Sequence, residues 1–139
     1  MRAYDRLYVG FLYYFNVARD YFECHEVMEE LWLEEGRSPL YQGLLQVAVG
    51  LYHHANGNVS GAVKLLTAAV EKLHSYPEAT LGIDLGKVVR DSREYLGKLE
   101  QMKALPFEPY DFDIVILDKD LAMFVEELKQ NPPVAGEGD

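Results

Sequence analysis

The polar side chains that could do chemistry are concentrated between residues 21 and 53, in two segments with helical spacing. The first segment carries His25, Glu26 and Glu29, and the second carries Gln42, Gln46 and His53. At about 100° per residue, His25 and Glu29 lie within roughly 40° of each other on a helix. Buried polar groups need hydrogen-bond partners, so we expect the two helices to face each other and form one polar cluster.

Three uses of this cluster are open, and the sequence favours the first, a structural network that satisfies buried carboxylates and fixes helix register. The second is a divalent metal site with His25, Glu29 and His53 as ligands, supported by Gln42 and Gln46. The segment from His25 to Glu29 has the pattern HExxE, which lacks the second histidine of the HExxH zinc motif, so that motif does not apply here. The third is acid–base catalysis or small-molecule binding in a pocket. The sequence contains no nucleophile elbow, phosphate loop or dinucleotide fingerprint.

Neighbouring side chains receive simpler interpretations. Trp32 lies close to the His25 stripe and is interpreted first as a core anchor, and otherwise as a pocket-lining residue. Cys24 is interpreted as a small core residue, because it points about 100° away from His25. His54 and His74 lie off the cluster stripe and are interpreted as surface or boundary residues.

The charge of the chain limits its partners. Residues 20–35 contain seven acidic side chains and no Lys or Arg, and the whole chain has a formal net charge of -10. Such a segment attracts cations or a basic partner, although charge runs on an outer helix face are usually only solvated. No basic stripe is present, so we expect neither nucleic acid nor an anionic membrane surface as a partner.

Apolar spacing and capping residues predict an all-α fold, a compact bundle of about five main helices. The predicted helices are residues 4–18, about Asp20 to Glu35, Pro39 to about Ala55, a fourth after Asn56-Gly57-Asn58, and a fifth capped by Asp84. The runner-up architecture is a stack of helical hairpins like tetratricopeptide repeats, but no period of about 34 residues is found.

The chain changes character after Leu105. The segment PFEPYDFDIVIL is extended, and Asp118 is placed to cap a short last helix. We therefore predict a helical core over 1–105, an arm and short helix over 106–130 that pack on the core or on a partner subunit, and a disordered tail over 131–139.

The cysteine content and the apolar runs of the sequence indicate the cellular compartment. The single cysteine, Cys24, excludes a disulfide within the chain, and no segment is apolar enough to span a bilayer, so the protein is expected to be cytoplasmic. A homo-oligomer could form through residues 107–117 or through the tyrosine-rich face of the first helix. A non-enzymatic helical module that takes up a peptide or protein in an apolar groove is a further hypothesis.

The pattern FECHEVMEELW, followed by QGLLQ, a histidine and Gly-Asn, resembles a bacterial and archaeal family, the domain-of-unknown-function family numbered 309. The matching positions are Phe22, Glu23, His25, Glu26, Glu29, Trp32, Gln42, Gly43, Gln46, His53, Gly57 and Asn58. The resemblance covers roughly residues 9–105. It implies a small all-helical protein and supplies no reaction, so the cluster is an inference from the residues alone.

Overall fold

The computed structural model describes residues 4–133, and this part of the chain is built from α-helices. In chain order they are α1 (Arg6–Tyr13), α2 (Tyr21–Glu34), α3 (Pro39–Ala55), α4 (Val59–Leu73), α5 (Leu85–Glu100) and α6 (Lys119–Gln130). The predicted all-α class is confirmed, with five main helices followed by an extended arm and a short helix. Of the predicted disordered tail, 131–139, the part from residue 134 onward lies outside the described residues.

The helices begin where the sequence places capping residues. The Asp20 side chain accepts a hydrogen bond from the backbone N–H of Glu23 at 3.0 Å, and the Asp84 side chain accepts one from Lys87 N–H at 3.0 Å. Pro39 occupies the first turn of α3, where its missing N–H costs nothing. Each cap satisfies a donor that the helix itself leaves free, so the helix starts are fixed locally.

Helix α1 is the most deeply packed helix of the N-terminal half. It contacts α2 and α6, and its residues 7–13 are all buried. The tyrosine-rich face predicted as an amphipathic rim or interface is instead inside the protein, since Tyr8, Tyr13 and Tyr14 are buried. The Tyr8 hydroxyl donates to the Leu81 carbonyl at 2.8 Å, so this partner lies within the chain.

Helices α3 and α4 approach closely because two glycines lie on the same face of α3. A Cβ atom added to Gly43 would lie 2.6 Å from Leu73 Cδ2, and one added to Gly50 would lie 2.8 Å from Leu66 Cγ. Leu66 and Leu73 are fully buried in this contact. Glycine at these positions therefore lets the α4 leucines pack against the α3 backbone.

A short hairpin precedes α5 and was not predicted from the sequence. Strands β1 (Ala79–Thr80) and β2 (Ile83–Asp84) pair antiparallel. Leu81 and Gly82, between them, have φ of 55° and 74°. A turn with two positive φ values normally carries Asn-Gly or Asp-Gly, so Leu-Gly gave no signal. The arm adds to this hairpin through a β-bridge between Ile83 and Ile116.

The arm over residues 106–117 lies on the body of its own chain. A π-helical turn over Tyr14–Ala18 follows α1 and presents Asn16, whose side chain bonds both the N–H and the carbonyl of Ile114, at 2.9 and 2.8 Å. Arg19 donates to the Phe112 carbonyl at 2.8 Å. The arm was predicted to pack on the core or on a partner subunit. In this single chain it packs on the core.

Candidate functional site

Helix α2 is rotated relative to the sequence-based prediction. Its buried residues are Tyr21, Cys24, Met28 and Leu31. At 100° per residue, the centre of this stripe lies roughly 80° away from His25. The expectation that His25 and Glu29 lie in the middle of the buried face is therefore wrong, and Glu26 and Glu29 are exposed.

The physical reason is that two aromatic residues do not mark the core. Phe22 is 49% exposed, and Trp32 is only partly buried. Both residues lie within about 60° of His25 on the helix. Counting them as core residues therefore places His25 in the buried face. Cys24, in contrast, is fully buried as predicted, with its Sγ 3.7 Å from the Phe11 carbonyl.

An exposed surface results, which we name the acidic–aromatic face. Its members are Phe22, Glu23, His25, Glu26 and Glu29 of α2, with Tyr52 of α3. The ring centroids of Phe22 and Tyr52 are 6.1 Å apart, and those of Phe22 and His25 are 6.5 Å apart. Two aromatic rings thus stand side by side at the surface, beside carboxylates.

His25 is held between two carboxylates of its own helix. Its Nδ1 lies 3.7 Å from Glu26 Oε1, and its Nε2 lies 3.5 Å from Glu29 Oε2. All three side chains are between 36% and 52% exposed. Contacts this long between exposed side chains are weak, so they do not form the sealed hydrogen-bond network that a structural role requires.

The acidic side chains also act on one another. Partial burial, followed by the neighbouring carboxylates of Asp20 and Glu26, raises the pKa of Glu23. A raised carboxylate pKa means that the ionised form is disfavoured here, first by burial and then by the neighbouring negative charges. The acidic–aromatic face would therefore gain from a cation placed on it.

Two polar atoms beside this face are buried without a partner. Trp32 Nε1 and Gln46 Oε1 are inaccessible to solvent and make no hydrogen bond within residues 4–133. Gln42 and Gln46 are both half-buried, and the Arg37 guanidinium lies 5.3 Å from the Trp32 ring centroid. Trp32 is therefore a half-buried boundary residue that carries a cation–π contact, and it is not a deep core anchor.

The predicted metal ligands are only partly brought together. His25 and Glu29 are neighbours, whereas the His53 Nδ1 lies 3.4 Å from the Asn58 amide nitrogen in the turn before α4. Within residues 4–133, no group of three or more His, Cys, Asp or Glu side chains is arranged to hold a metal ion. Metal binding by His25, Glu29 and His53 stays a prediction of the sequence.

The buried polar pair of the protein lies elsewhere. His54, interpreted above as a surface or boundary residue, is only 4% exposed, and its Nδ1 lies 2.5 Å from the Tyr95 hydroxyl. Phe107 and Tyr110 of the arm pack on this pair, with ring centroids 4.8 Å from His54 and 4.7 Å from Tyr95. The arm thus closes an aromatic cluster over a histidine.

A signal for His54 was present in the sequence. Gly43, Val47, Gly50 and His54 follow one another at spacings of four, three and four residues, and all are buried. Two glycines on one helix stripe mark a close helix contact, so the stripe continues the buried face of α3 to His54. His74, in contrast, is exposed, as expected.

The family motif divides into two kinds of residue. Gly43 packs under Leu73, Gly57 adopts a φ of 80°, and the Asn58 side chain caps α4 by accepting from Gly61 N–H at 2.9 Å. These positions are explained by the fold. Phe22, His25, Glu26 and Glu29 are motif positions with exposed or half-exposed side chains, which packing does not explain.

The helices also bear on membrane insertion. No helix over residues 4–133 combines the length and the apolar character needed to cross a bilayer.

Comparison with known proteins gives a family and relatives. A family model described as a domain of unknown function, DUF309, matches residues 8–65. The uncharacterized protein YpuF of Bacillus subtilis (strain 168) is 35% identical over 106 residues, which are 73% of this chain and 61% of that protein. An uncharacterized protein of Aquifex aeolicus (strain VF5) is 29% identical over 84 residues, 58% of this chain and 25% of that protein.

The chain thus spans less than two thirds of the length of either relative. The family match covers α2 and α3, including the HExxE and QGxxQ segments on which the resemblance was based. Residues 8–65 thus match the model of the DUF309 family of domains of unknown function, which is the family that the motifs of the chain resemble.

Proposed function

We propose that the acidic–aromatic face binds a Lys- and Arg-rich segment of a partner protein. The observation that carries this proposal is the exposed pair of Phe22 and Tyr52, 49% and 37% accessible, beside the carboxylates of Glu26 and Glu29. An aromatic ring attracts a cation over its face, and a carboxylate attracts the same cation by charge. The protein would therefore act as a binding module.

The charge around the face supports a cationic partner. Helix α2 contains no Lys or Arg, so it carries no permanently charged cation that would neutralise its carboxylates. Burial raises the pKa of Glu23, and the nearby carboxylates of Asp20 and Glu26 raise it further, so a cation placed beside them would favour the ionised form. The same charge would repel nucleic acid, whose recognition requires a basic surface.

Exposure distinguishes this proposal from the structural network. A network that stabilises the fold needs buried, hydrogen-bonded groups, whereas Glu26 and Glu29 are 52% and 51% exposed. An enzyme at this position would need a cleft that shields the reacting groups from water. An open face suits the recognition of a side-chain pattern.

The test is the affinity of a short fluorescein-labelled Lys/Arg peptide, measured by fluorescence anisotropy at about 0.15 M salt, where the Debye length is about 8 Å. We expect Glu26→Gln combined with Glu29→Gln to weaken binding about fivefold. That factor corresponds to two exposed ion pairs of about 0.5 kcal/mol each. Phe22→Ala should weaken it by a similar factor through the lost cation–π contact.

The matched control removes two carboxylates from other helices. Glu71 and Glu127 are exposed and make no ion pair within residues 4–133, so Glu71→Gln combined with Glu127→Gln changes the net charge equally. Long-range attraction is screened at this salt concentration, and we expect a loss below about twofold. Equal losses in the two double variants would show unspecific charge attraction and remove the proposal.

A divalent metal is the competing use of the same side chains. The 3.5 Å separation of His25 Nε2 and Glu29 Oε2 allows two ligands to one ion, whereas structural zinc takes about four. Metal analysis of the purified protein and of His25→Ala distinguishes the two uses. Stoichiometric zinc that is lost in His25→Ala would favour the metal site over peptide binding.

A homo-oligomer formed by exchange of the arm is a second proposal, independent of the first. The arm is fixed to the body by side chains of Asn16, Arg19 and Tyr21, and the same contacts could form with the body of a second copy. The exposed turn over residues 101–105 would act as the hinge. Sedimentation tests this: a dimer that is enriched when Lys103 and Ala104 are deleted supports exchange, because a shorter hinge prevents the arm from reaching its own body, and a monomer at all concentrations contradicts it.

A further inference from the structure

A small cavity lies between the end of α4 and the start of α5. Its residues come later in the chain than those of the acidic–aromatic face. Its volume is about 240 Å³. Leu73, Leu85 and Val89 form an apolar floor, and all three are buried. The cavity lies beyond residues 8–65, so the family match does not include it.

The wall of this cavity is basic in a strongly acidic protein. Arg90, Arg93 and His74 line it, while the chain as a whole has a formal net charge of -10. Within residues 4–133, Arg93 makes no ion pair and no side-chain hydrogen bond. A guanidinium beside an apolar floor is a typical receptor for a planar or tetrahedral anion.

A carboxylate of the chain already occupies the mouth of this cavity. Glu78 Oε1 lies 3.4 Å from Arg90 Nη1, and it would lie 2.7 Å from a Cβ atom added to Gly86. Glycine at position 86 therefore leaves room for the Glu78 carboxylate beside the first turn of α5, where the N–H groups of Leu85 and Gly86 already donate to the Glu78 carbonyl. The Glu78 side chain is 80% exposed, so it can leave.

We propose that this cavity binds a small phosphomonoester with a short apolar group, which displaces the Glu78 carboxylate. The phosphate would be held by Arg90 and Arg93, and the apolar group would rest on Leu85 and Val89. Ligand pockets for drug-sized molecules measure about 300–1,000 Å³, so a cavity slightly below this range selects a small ligand. A phosphomonoester carries nearly two negative charges at pH 7 and so balances two guanidinium groups, whereas a carboxylate carries only one.

The test is a ¹⁵N NMR titration of the full chain with phenyl phosphate. We expect saturable shifts of the amides of Gly86, Arg90 and Arg93. Arg93→Gln should weaken binding about tenfold, the size of one lost charge-assisted hydrogen bond. Glu78→Gln should tighten binding about threefold, because it removes the competing carboxylate.

Controls separate this site from unspecific charge attraction. Arg6 is exposed at the start of α1, and Arg6→Gln removes the same charge without touching the cavity. Benzoate and inorganic phosphate test the two halves of the ligand, and both should bind more weakly than phenyl phosphate. Non-saturating shifts, equal losses in Arg6→Gln and Arg93→Gln, or benzoate binding as tightly as phenyl phosphate would overturn the proposal. Circular dichroism of each variant verifies that it is folded.

Discussion

His25 and His54 lie on neighbouring helices and in opposite environments. His25 stands at the surface between Glu26 and Glu29, with long ion-pair distances of 3.7 and 3.5 Å. His54 is 4% exposed and bonded to Tyr95 at 2.5 Å, under two aromatic rings of the arm. The motif residues His25, Glu26 and Glu29 thus make only exposed contacts, whereas His54, which is buried in the fold, is not a motif position.

The largest effect should come from the buried side of this comparison. Tyr95 is 0% exposed and contacts His54, Phe107 and Tyr110. Tyr95→Ala removes this packing and leaves His54 unpaired, so we expect the free energy of unfolding to fall by about 3–5 kcal/mol. Urea denaturation measures it.

Tyr52→Ala is the matched change on the exposed side. Tyr52 is 37% exposed, so the same truncation should cost less than about 1 kcal/mol. Equal losses for the two tyrosines would contradict the assignment of Tyr95 as structural and of Tyr52 as a surface residue.

A smaller effect should appear as a pH dependence of stability. Burial lowers the pKa of His54, partly opposed by the Glu108 carboxylate. The unfolded chain, with a histidine pKa of about 6.5, therefore binds this proton first as the pH falls. The contribution of neutral His54 to the free energy of unfolding is therefore present above about pH 6.5. It declines as the pH falls from there to the lower pKa of the folded state.

Comparison of unfolding free energies at pH 7.5 and 5.5 measures this decline. His54→Gln should reduce the difference between the two pH values, because it removes the group whose pKa is lowered by burial. A decline that persists fully in His54→Gln would assign the pH dependence to other groups.

The smallest effect on stability is expected at the motif itself. His25→Ala and Glu29→Gln remove only exposed contacts, so each should change the free energy of unfolding by less than about 0.5 kcal/mol. Thermal denaturation with the native chain as reference detects a larger change. A loss above about 2 kcal/mol in either variant would restore the structural network favoured by the sequence.

The elements of the fold could be predicted because local chemistry decides them. Asp20, Asp84 and Asp118 cap helices by short-range hydrogen bonds, which the sequence shows directly. The direction in which α2 faces could not be predicted, because Phe22 is apolar and yet exposed. Apolar residues mark the core only on average, and a binding surface is where the exception is expected.

The location of the arm depends on contacts that no local pattern contains. Asn16 and Ile114 are far apart in the chain, and the bond between them arises from the π-helical turn after α1. The Leu81-Gly82 turn likewise lacks the residues that signal a hairpin. Helix α3 is apolar on most sides, so its periodicity alone did not separate His53 from His54.

The most direct test of the acidic–aromatic face is to map where a basic peptide binds. A ¹⁵N NMR titration of the full chain with an unlabelled Lys/Arg peptide gives the shift of every assigned amide. We predict that the largest shifts lie at residues 22–29 and 52–53, and that they saturate. Shifts distributed over all acidic segments, including α6, or no shifts at residues 22–29, would contradict the account.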